Sequence, residues 1–455
     1  MSDLLDPPSA APAPTASPVT LRKTGWWAGL RPLLLRVHFY AGVFVAPFIL
    51  VAALTGLMYT TVPTVEKIVY HDTLTTAVGP ARLDLRAQLA SATAAVPGGT
   101  VTEIRPPATP DATTRVSFDV RGLPDGYSRT AFVDPYTGHV KAVLDTYGEW
   151  LPLRAWFDSL HRTLLLGDVG RVYSELAASW LGILALSGLA VWVARKRRTR
   201  RVRRTLLPET SARGRARLRS WHGALGLWIA VGMLFLSATG ITWSQFAGTN
   251  VSELRAALSW STPSVSTTLP AGPAVVPVGP TGVVTDRVLA GARAAGLSDP
   301  VAITPAAAGK AWTVKQVQRS WPEKQDAVAV DPATGTVVSS LRFADWPIAA
   351  KLARWGIDAH MGLLFGLANQ IALALLAIAI LCLVGWGYRM WWLRRPTRAG
   401  ARTPAGTQKP STGAVVSLGL VAVVLGIFLP VLGVSLVVFT LADALWQHRR
   451  ARSPE

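Results

Sequence analysis

The sequence predicts a polytopic α-helical membrane protein: a four-helix core from a tandem duplication, a C-terminal hydrophobic hairpin, and two small α+β extracytoplasmic domains. Three observations predict it. Half of the 455 residues are hydrophobic and only 16% are charged, few for a soluble protein. The apolar residues gather into runs at 39–62, 172–194, 223–246, 367–388 and 414–446, and about 20 such residues span a bilayer as a helix. Finally, histidines and short motifs recur at matching intervals in the two halves of the chain.

Residues 1–25, rich in Ala, Pro and Ser, should be disordered. They lack the form of a cleaved signal peptide, because the first apolar run follows basic residues without a convincing cleavage site. Transmembrane helix 1 is expected over 36–62 and a first outer domain over 63–150. An interfacial segment and helix 2 take 151–194, and a basic cytoplasmic loop takes 195–219. The second half repeats this order, with helix 3 over 220–246, an outer domain over 247–345, and an interfacial segment with helix 4 over 346–393. A cytoplasmic loop over 394–412, the hairpin over 413–446 and a tail over 447–455 complete the chain.

Charge sets the orientation. Segment 195–219 holds twelve Lys or Arg against the single acid Glu209, and 389–411 holds six with no acid. The long loops 63–150 and 248–350 are near balance, so the positive-inside pattern puts them outside and the N-terminus in the cytoplasm, in the inner membrane. Trp26, Trp27, Trp192, Trp221, Trp391 and Trp392 mark the cytoplasmic interface; Trp150, Trp156, Trp243, Trp346 and Trp355 mark the outer one. The net charge of +20 thus reads as topology rather than nucleic-acid binding. The stretch 414–446 exceeds one helix and breaks at Leu429-Pro430, which favours a hairpin and six crossings over a single tilted span.

The outer loops show strand alternation, blurred around Thr114–Asp119 but clear at Arg129–Val133, Ala311–Lys315 and Ala327–Val330. Each then reaches an Asp-Pro-x-Thr-Gly turn, Asp134–Gly138 and Asp331–Gly335, where Pro presets φ and Gly admits a positive value. In the helices, His38 precedes Thr55 by the same 17 residues that separate His222 from Thr239. His161 opens HRTLLLG and His360 opens HMGLLFG, each 34 residues before a basic residue, Arg195 or Arg394. These intervals predict the tandem duplication.

Four of the seven histidines therefore sort by depth, His38 with His222 near the cytoplasmic face and His161 with His360 near the outer face. Imidazole is a good axial ligand for haem iron, and two bis-histidine b-type haems would make an electron path across the bilayer. The plainer reading of any one of them is a hydrogen bond to headgroups, water or a helix end, but recurrence at four helix entrances argues for ligands. Gly42, Gly56, Gly182, Gly188, Gly223, Gly226, Gly240 and Gly385 suit close helix packing or a flat ligand. His71, His139 and His448 read as structural or solvated. Arg154, Arg162, Arg171, Lys351 and Arg354 read either as interfacial anchors or as a basic rim for an anionic substrate or a haem propionate.

Cys382 is the single cysteine, so disulfides, iron–sulfur clusters and covalent c-type haem attachment are excluded within one chain. No nucleophile elbow, HExxH motif, Walker loop or dinucleotide fingerprint occurs, and electrons would come from a partner reductase or the quinone pool.

Several motifs resemble the PepSY-associated transmembrane proteins, often called iron-regulated membrane proteins. They are Arg36-Val37-His38-Phe39-Tyr40-Ala41-Gly42, His161–Gly167 with Glu175–Trp180, Trp221-His222-Gly223, and His360–Gly366 with Asn369-Gln370. The resemblance covers roughly residues 30 to 396 and makes the outer domains PepSY-like. It implies a haem-dependent reductase that takes a ferric siderophore to Fe(II), with His38, His161, His222 and His360 as haem ligands. A non-enzymatic PepSY protein that binds or regulates an extracytoplasmic protease is the other reading. Iron or siderophore transport ranks last, because the helices show no buried acids to mark an ion path.

Overall fold

The computed structural model describes residues 26–196, 206–269, 281–394 and 412–452. The expected disorder of 1–25, most of the loop 394–412 and part of the basic loop 195–219 lie outside those residues. The first half runs α1 (Trp26–Phe44), α2 (Ala46–Val69), α3 (His71–Leu74), α4 (Leu85–Ala95), β1 (Thr100–Arg105), β2 (Thr114–Asp119), β3 (Tyr127–Val133), β4 (Val140–Tyr147), α5 (Pro152–Thr163) and α6 (Gly167–Lys196). The second runs α7 (Gly214–Thr242), α8 (Phe246–Ala257), α9 (Thr281–Ala294), β5 (Val301–Thr304), β6 (Trp312–Gln316), β7 (Ala327–Val330), β8 (Val337–Leu341), α10 (Ile348–His360) and α11 (Gly366–Trp392). Two further helices, α12 (Thr412–Phe428) and α13 (Pro430–Arg452), follow.

Among the described residues four helices are long and apolar enough to cross a membrane: Ala46–Val69, Gly167–Ala194, Gly214–Thr242 and Gly366–Trp392. At 1.5 Å per residue each exceeds the ~30 Å of hydrocarbon. Their shared core is built from small and apolar side chains, including Ala41, Ile49, Ala53, Ala177, Trp180, Met233, Ile380 and Leu383.

The first segment differs from the expected 36–62 helix. Two helices lie end to end, broken at Val45, and His38 stands on the earlier one. Pro47 causes the break, since it has no N–H for the carbonyl of Val43 and its ring crowds that position. The Tyr388 hydroxyl donates to the Val43 carbonyl instead, at 2.7 Å, so that this freed carbonyl is satisfied.

The C-terminal stretch doubles back at Leu429-Pro430. Gly426 and Gly433 touch there: a Cβ on Gly426 would stand 2.9 Å from the Gly433 Cα, whereas a straight helix holds such residues ~10 Å apart. Asn250 donates to the Phe428 carbonyl at the bend, 2.9 Å. Both apolar arms, Val415–Phe428 and Pro430–Ala442, fall short of the ~20 residues a full crossing takes.

The two expected outer domains share one sheet. Eight strands run in the order β4-β3-β2-β1-β5-β6-β7-β8, and all the pairings are antiparallel. The halves join where Ile104 of β1 faces Ile303 of β5. Ile104, Val116, Phe118, Ile303 and Val314 lie on one face, under Leu85, Leu89 and Ala92 of α4 and Val288, Leu289 and Ala292 of α9. Side chains alternate along a strand, so Arg105 and Arg115 take the opposite face. The Asp134 carboxylate accepts from the backbone N–H of Tyr136 and Thr137, and Gly138 takes φ 73°; Asp331 and Gly335 (φ 78°) make the same turn in the second half.

Candidate functional site

The structure gathers the four motif histidines into two pairs. Far from the sheet, His38 of α1 and His222 of α7 face each other with ring centroids 6.3 Å apart and planes at 80°. Near the sheet, His161 at the end of α5 and His360 at the end of α10 stand 6.5 Å apart. A metal–imidazole bond of ~2.0–2.1 Å on each side, with the ~1.1 Å from ring nitrogen to ring centre, sets two imidazoles sharing one metal ~6.3 Å apart. Both pairs match that separation.

Hydrogen bonds fix the tautomers. His222 Nδ1 contacts the Leu383 carbonyl at 3.1 Å, and a carbonyl only accepts, so the proton is on Nδ1. The other three rings meet hydroxyls that have already committed their own proton. Ser187 donates to the Leu184 carbonyl and so accepts from His38 Nδ1 at 3.0 Å. Thr55 donates to the Val51 carbonyl and accepts from His161 Nδ1 at 3.0 Å. Thr239 donates to the Phe235 carbonyl and accepts from His360 Nδ1 at 2.5 Å. All four rings thus keep the Nε2 lone pair for a ligand bond, the arrangement that a hydrogen-bond partner on Nδ1 imposes on metal-binding histidines.

Space accompanies the far pair. A cavity of about 320 Å³ is lined by both rings, by Gly42, Gly188, Gly226 and Gly387, and by Trp192 and Trp391. A Cβ at Gly42 would meet nothing within 4 Å, and at Gly226 or Gly387 only an atom at 3.9 Å. That glycine-walled slot fits a flat macrocycle. Gly188 is tighter, since its Cβ would come within 2.8 Å of the His38 ring. In the near pair Gly56 lies against His161 in the same way, at 3.1 Å. Tyr59 stacks on His161 at 6.4 Å, while Trp243 and Phe235 flank His360 at 5.7 and 6.4 Å. Two imidazoles per pair, with room for a plate between the far two, fit an iron porphyrin bound through both axial positions.

The other residues singled out from the sequence are placed elsewhere. His71 lies in the short α3 beside Asp72 and Thr75, and His139 sits exposed in the first Asp-Pro turn. The basic rim is largely paired: Arg162 with Asp158 at 3.6 Å, Arg354 with Asp358 and Glu323 at 2.8 and 3.0 Å. Lys351 donates to the Ala344 carbonyl. Arg154 is buried and donates to the Tyr59 hydroxyl at 3.1 Å, one ring away from His161.

Three features escaped the sequence reading. Thr55 and Thr239 marked the repeat, yet their anchoring role shows only once the helices are packed. Arg319, from the loop between β6 and β7, bonds Glu149 after β4 and Asp358 two residues before His360, tying the sheet of one half to the His360 helix of the other. Burial pushes the Glu149 carboxyl up, but Arg319 and Arg105 outweigh it and hold it at about 2. The third is a correction: Glu175 of α6 is a fully buried acid within a candidate span. Its oxygens accept from the backbone N–H of Phe246 and Ala247 at 2.9 and 3.2 Å, so it caps α8 and marks no ion path.

No curated protein matches the chain in a sequence comparison. The family model of the PepSY-associated TM region matches residues 35–394, most of the chain and all of both histidine pairs. This membrane protein therefore belongs to the PepSY-associated TM region family.

Proposed function

We propose that the chain is an inner-membrane electron-transfer protein with two b-type haems, one per histidine pair, and that it reduces ferric siderophore iron to Fe(II) during iron uptake. The observation that carries this reading is the pairing itself: two imidazole pairs at 6.3 and 6.5 Å, every Nδ1 proton engaged, every Nε2 lone pair kept. Bound haem iron would accept and pass one electron at a time. The residues supply the rest. His38, His222, His161 and His360 would hold the haems through their imidazole nitrogens, and Ser187, Thr55, Thr239 and the Leu383 carbonyl orient those rings. One electron from a quinol or a partner reductase would convert Fe(III) in a siderophore to Fe(II), which hard oxygen donors hold less tightly.

The duplication belongs to the same proposal. Each half runs helix, outer helix, four strands, short amphipathic helix, long helix, and each pair draws equivalent residues from both halves. On this reading the sheet is a pair of fused PepSY-like units outside the membrane, and the basic segments 195–219 and 389–411 lie in the cytoplasm with the N-terminus.

The test is an absorption spectrum of the purified full chain, oxidised and then dithionite-reduced. The proposal expects a Soret band, the sharp reduced α band of low-spin b haem, and two haems per chain. His38→Ala or His222→Ala should remove one haem, and His161→Ala or His360→Ala the other. A protein that stays colourless after expression with added haem leaves the non-enzymatic reading, a PepSY protein that binds or regulates an extracytoplasmic protease.

A further inference from the structure

We infer that Arg215, Arg219 and Arg394 form a carboxylate clamp at the mouth of the His38–His222 cavity, binding the two propionates of the haem and pointing them away from the sheet. The inference rests on the di-haem reading and adds the orientation of the cofactor and the residues that set it.

All three arginines line the same cavity as the two rings, and among the described residues no Asp or Glu lines it. On α7, Arg215, Arg219, His222 and Gly226 follow at intervals of four, three and four residues, which puts them on one stripe of the helix. At 1.5 Å per residue, Arg219 lies ~4.5 Å and Arg215 ~10.5 Å from the His222 level toward the N-terminal end of the helix. Helix α11 runs the opposite way. A Cβ on Gly387 would stand 3.9 Å from the His222 ring, and Arg394 follows seven residues on, just past the end of that helix at Trp392, displaced in the same direction.

Two helices thus bring guanidinium groups to one end of a slot whose other walls, the two histidines apart, are glycine and apolar side chains. Haem b is apolar except for one edge, which carries two carboxylates. A planar guanidinium matches a carboxylate with two parallel N–H bonds, better than a lysine does. Burying that edge at the opposite end would strand two anions among Ile49, Met233 and Ile380, so the arginines dictate the direction of entry. Among the described residues no arginine of the first half lines the slot, and the position equivalent to Arg219 there is Leu35.

A chemical variant of the ligand tests the clamp without altering the protein. The full-length chain, carrying His161→Ala so that only the far pair is read, is purified haem-free and titrated with haem and with haem dimethyl ester. The clamp predicts that haem binds about ten- to a hundredfold more tightly than the ester, the range of one or two charge-assisted hydrogen bonds. In Arg219→Gln with Arg394→Gln, and in the Arg215→Gln variant, affinity for haem should fall toward that for the ester, while ester binding stays unchanged. Equal binding of haem and ester by the unaltered arginines would overturn the clamp and leave the di-haem reading intact. So would a loss on substitution that is the same for both ligands, the result expected if the arginines serve only lipid phosphates or the fold. If neither compound binds, in this background or in the wild-type chain, the di-haem reading itself fails.

Discussion

Gly188 and Gly387 occupy equivalent positions, 27 residues after His161 and His360, and each lies beside the far-pair histidine of its own half. Their surroundings differ. A Cβ on Gly188 would stand 2.8 Å from His38 Cε1, whereas a Cβ on Gly387 would reach His222 Cε1 only at 3.9 Å, an ordinary contact. In Gly188→Ala the His38 ring must retreat by about 0.6 Å to reach the 3.4 Å of normal packing. The ring is held from the adjacent position, where Ser187 accepts from Nδ1 at 3.0 Å. A retreat of that size stretches the bond to ~3.6 Å, where it ceases to be a hydrogen bond. It also exceeds the ~0.2 Å tolerance of a metal–ligand distance.

Overpacking of this kind costs ~1–3 kcal/mol, which at 1.4 kcal/mol per decade is roughly 5- to 150-fold in affinity. We expect Gly188→Ala to keep one haem per chain after purification, while Gly387→Ala and the wild type keep two. Haem is counted as the pyridine haemochrome against protein, and monodispersity on a sizing column checks the fold. Equal haem content in the two alanine variants, whether both full or both depleted, would refute the reasoning, because the 2.8 against 3.9 Å contrast would then have no consequence.

Thr239→Val removes the acceptor of His360 Nδ1 and should weaken haem binding at the near pair ~10- to 100-fold, read as a faster haem off-rate. Ser435→Ala, which removes the hydroxyl that accepts from Trp180 in the same helical core, should leave that rate unchanged. Arg319→Gln removes the cation shared by the buried Asp358 and the half-buried Glu149, which keep Arg354 and Arg105, and should destabilise the chain by ~1–3 kcal/mol in thermal unfolding. Glu149 sits at about 2, below its unfolded value of ~4.3, so its stabilisation is present above ~4.3 and is lost as pH falls toward 2. In Arg319→Gln that loss should be smaller and should end at a higher pH. Burial first, then the Asp358 charge, raises Glu323 to about 7, against the pull of Arg354. Its contribution is complete below ~4.3 and is lost as pH rises through 7, so Glu323→Gln should flatten the melting temperature between pH 5 and pH 8.

What was legible in the sequence was periodic or counted. The apolar runs marked four long helices, and the 17-residue intervals placed His38 and His222 at one depth. What was not legible depended on contacts between distant segments. The break at Val45 is visible as Pro47, yet the apolar run continues through it, and only the Tyr388 hydroxyl 345 positions away shows how the freed carbonyl is satisfied. Joining of the two outer units rests on one registered pair, Ile104 with Ile303, made through backbone edges that leave little trace in side-chain patterns. Glu175 stands in plain view within SELAASW, but its partners are backbone N–H groups 71 and 72 positions later.

The duplication proposed above also explains why recurrence and function coincide. Equivalent residues from two halves meet only on the axis that relates those halves, and both histidine pairs are made of such equivalents, His38 with His222 and His161 with His360. A ligand on that axis meets the same donor from each side, which suits a macrocycle with two axial positions better than a bare ion needing three or four unlike side chains. Departures from equivalence then become the means of distinguishing one side of a site from the other. At the far pair a hydroxyl, Ser187, anchors one ring and a backbone carbonyl, that of Leu383, anchors the other. At the near pair threonines anchor both, and the contrast is in the packing: Tyr59 stacks on His161, while Trp243 meets His360 edge-on. A backbone carbonyl cannot be altered by substitution, so the tuning of the far pair falls to Ser187 and to the arginines at its mouth.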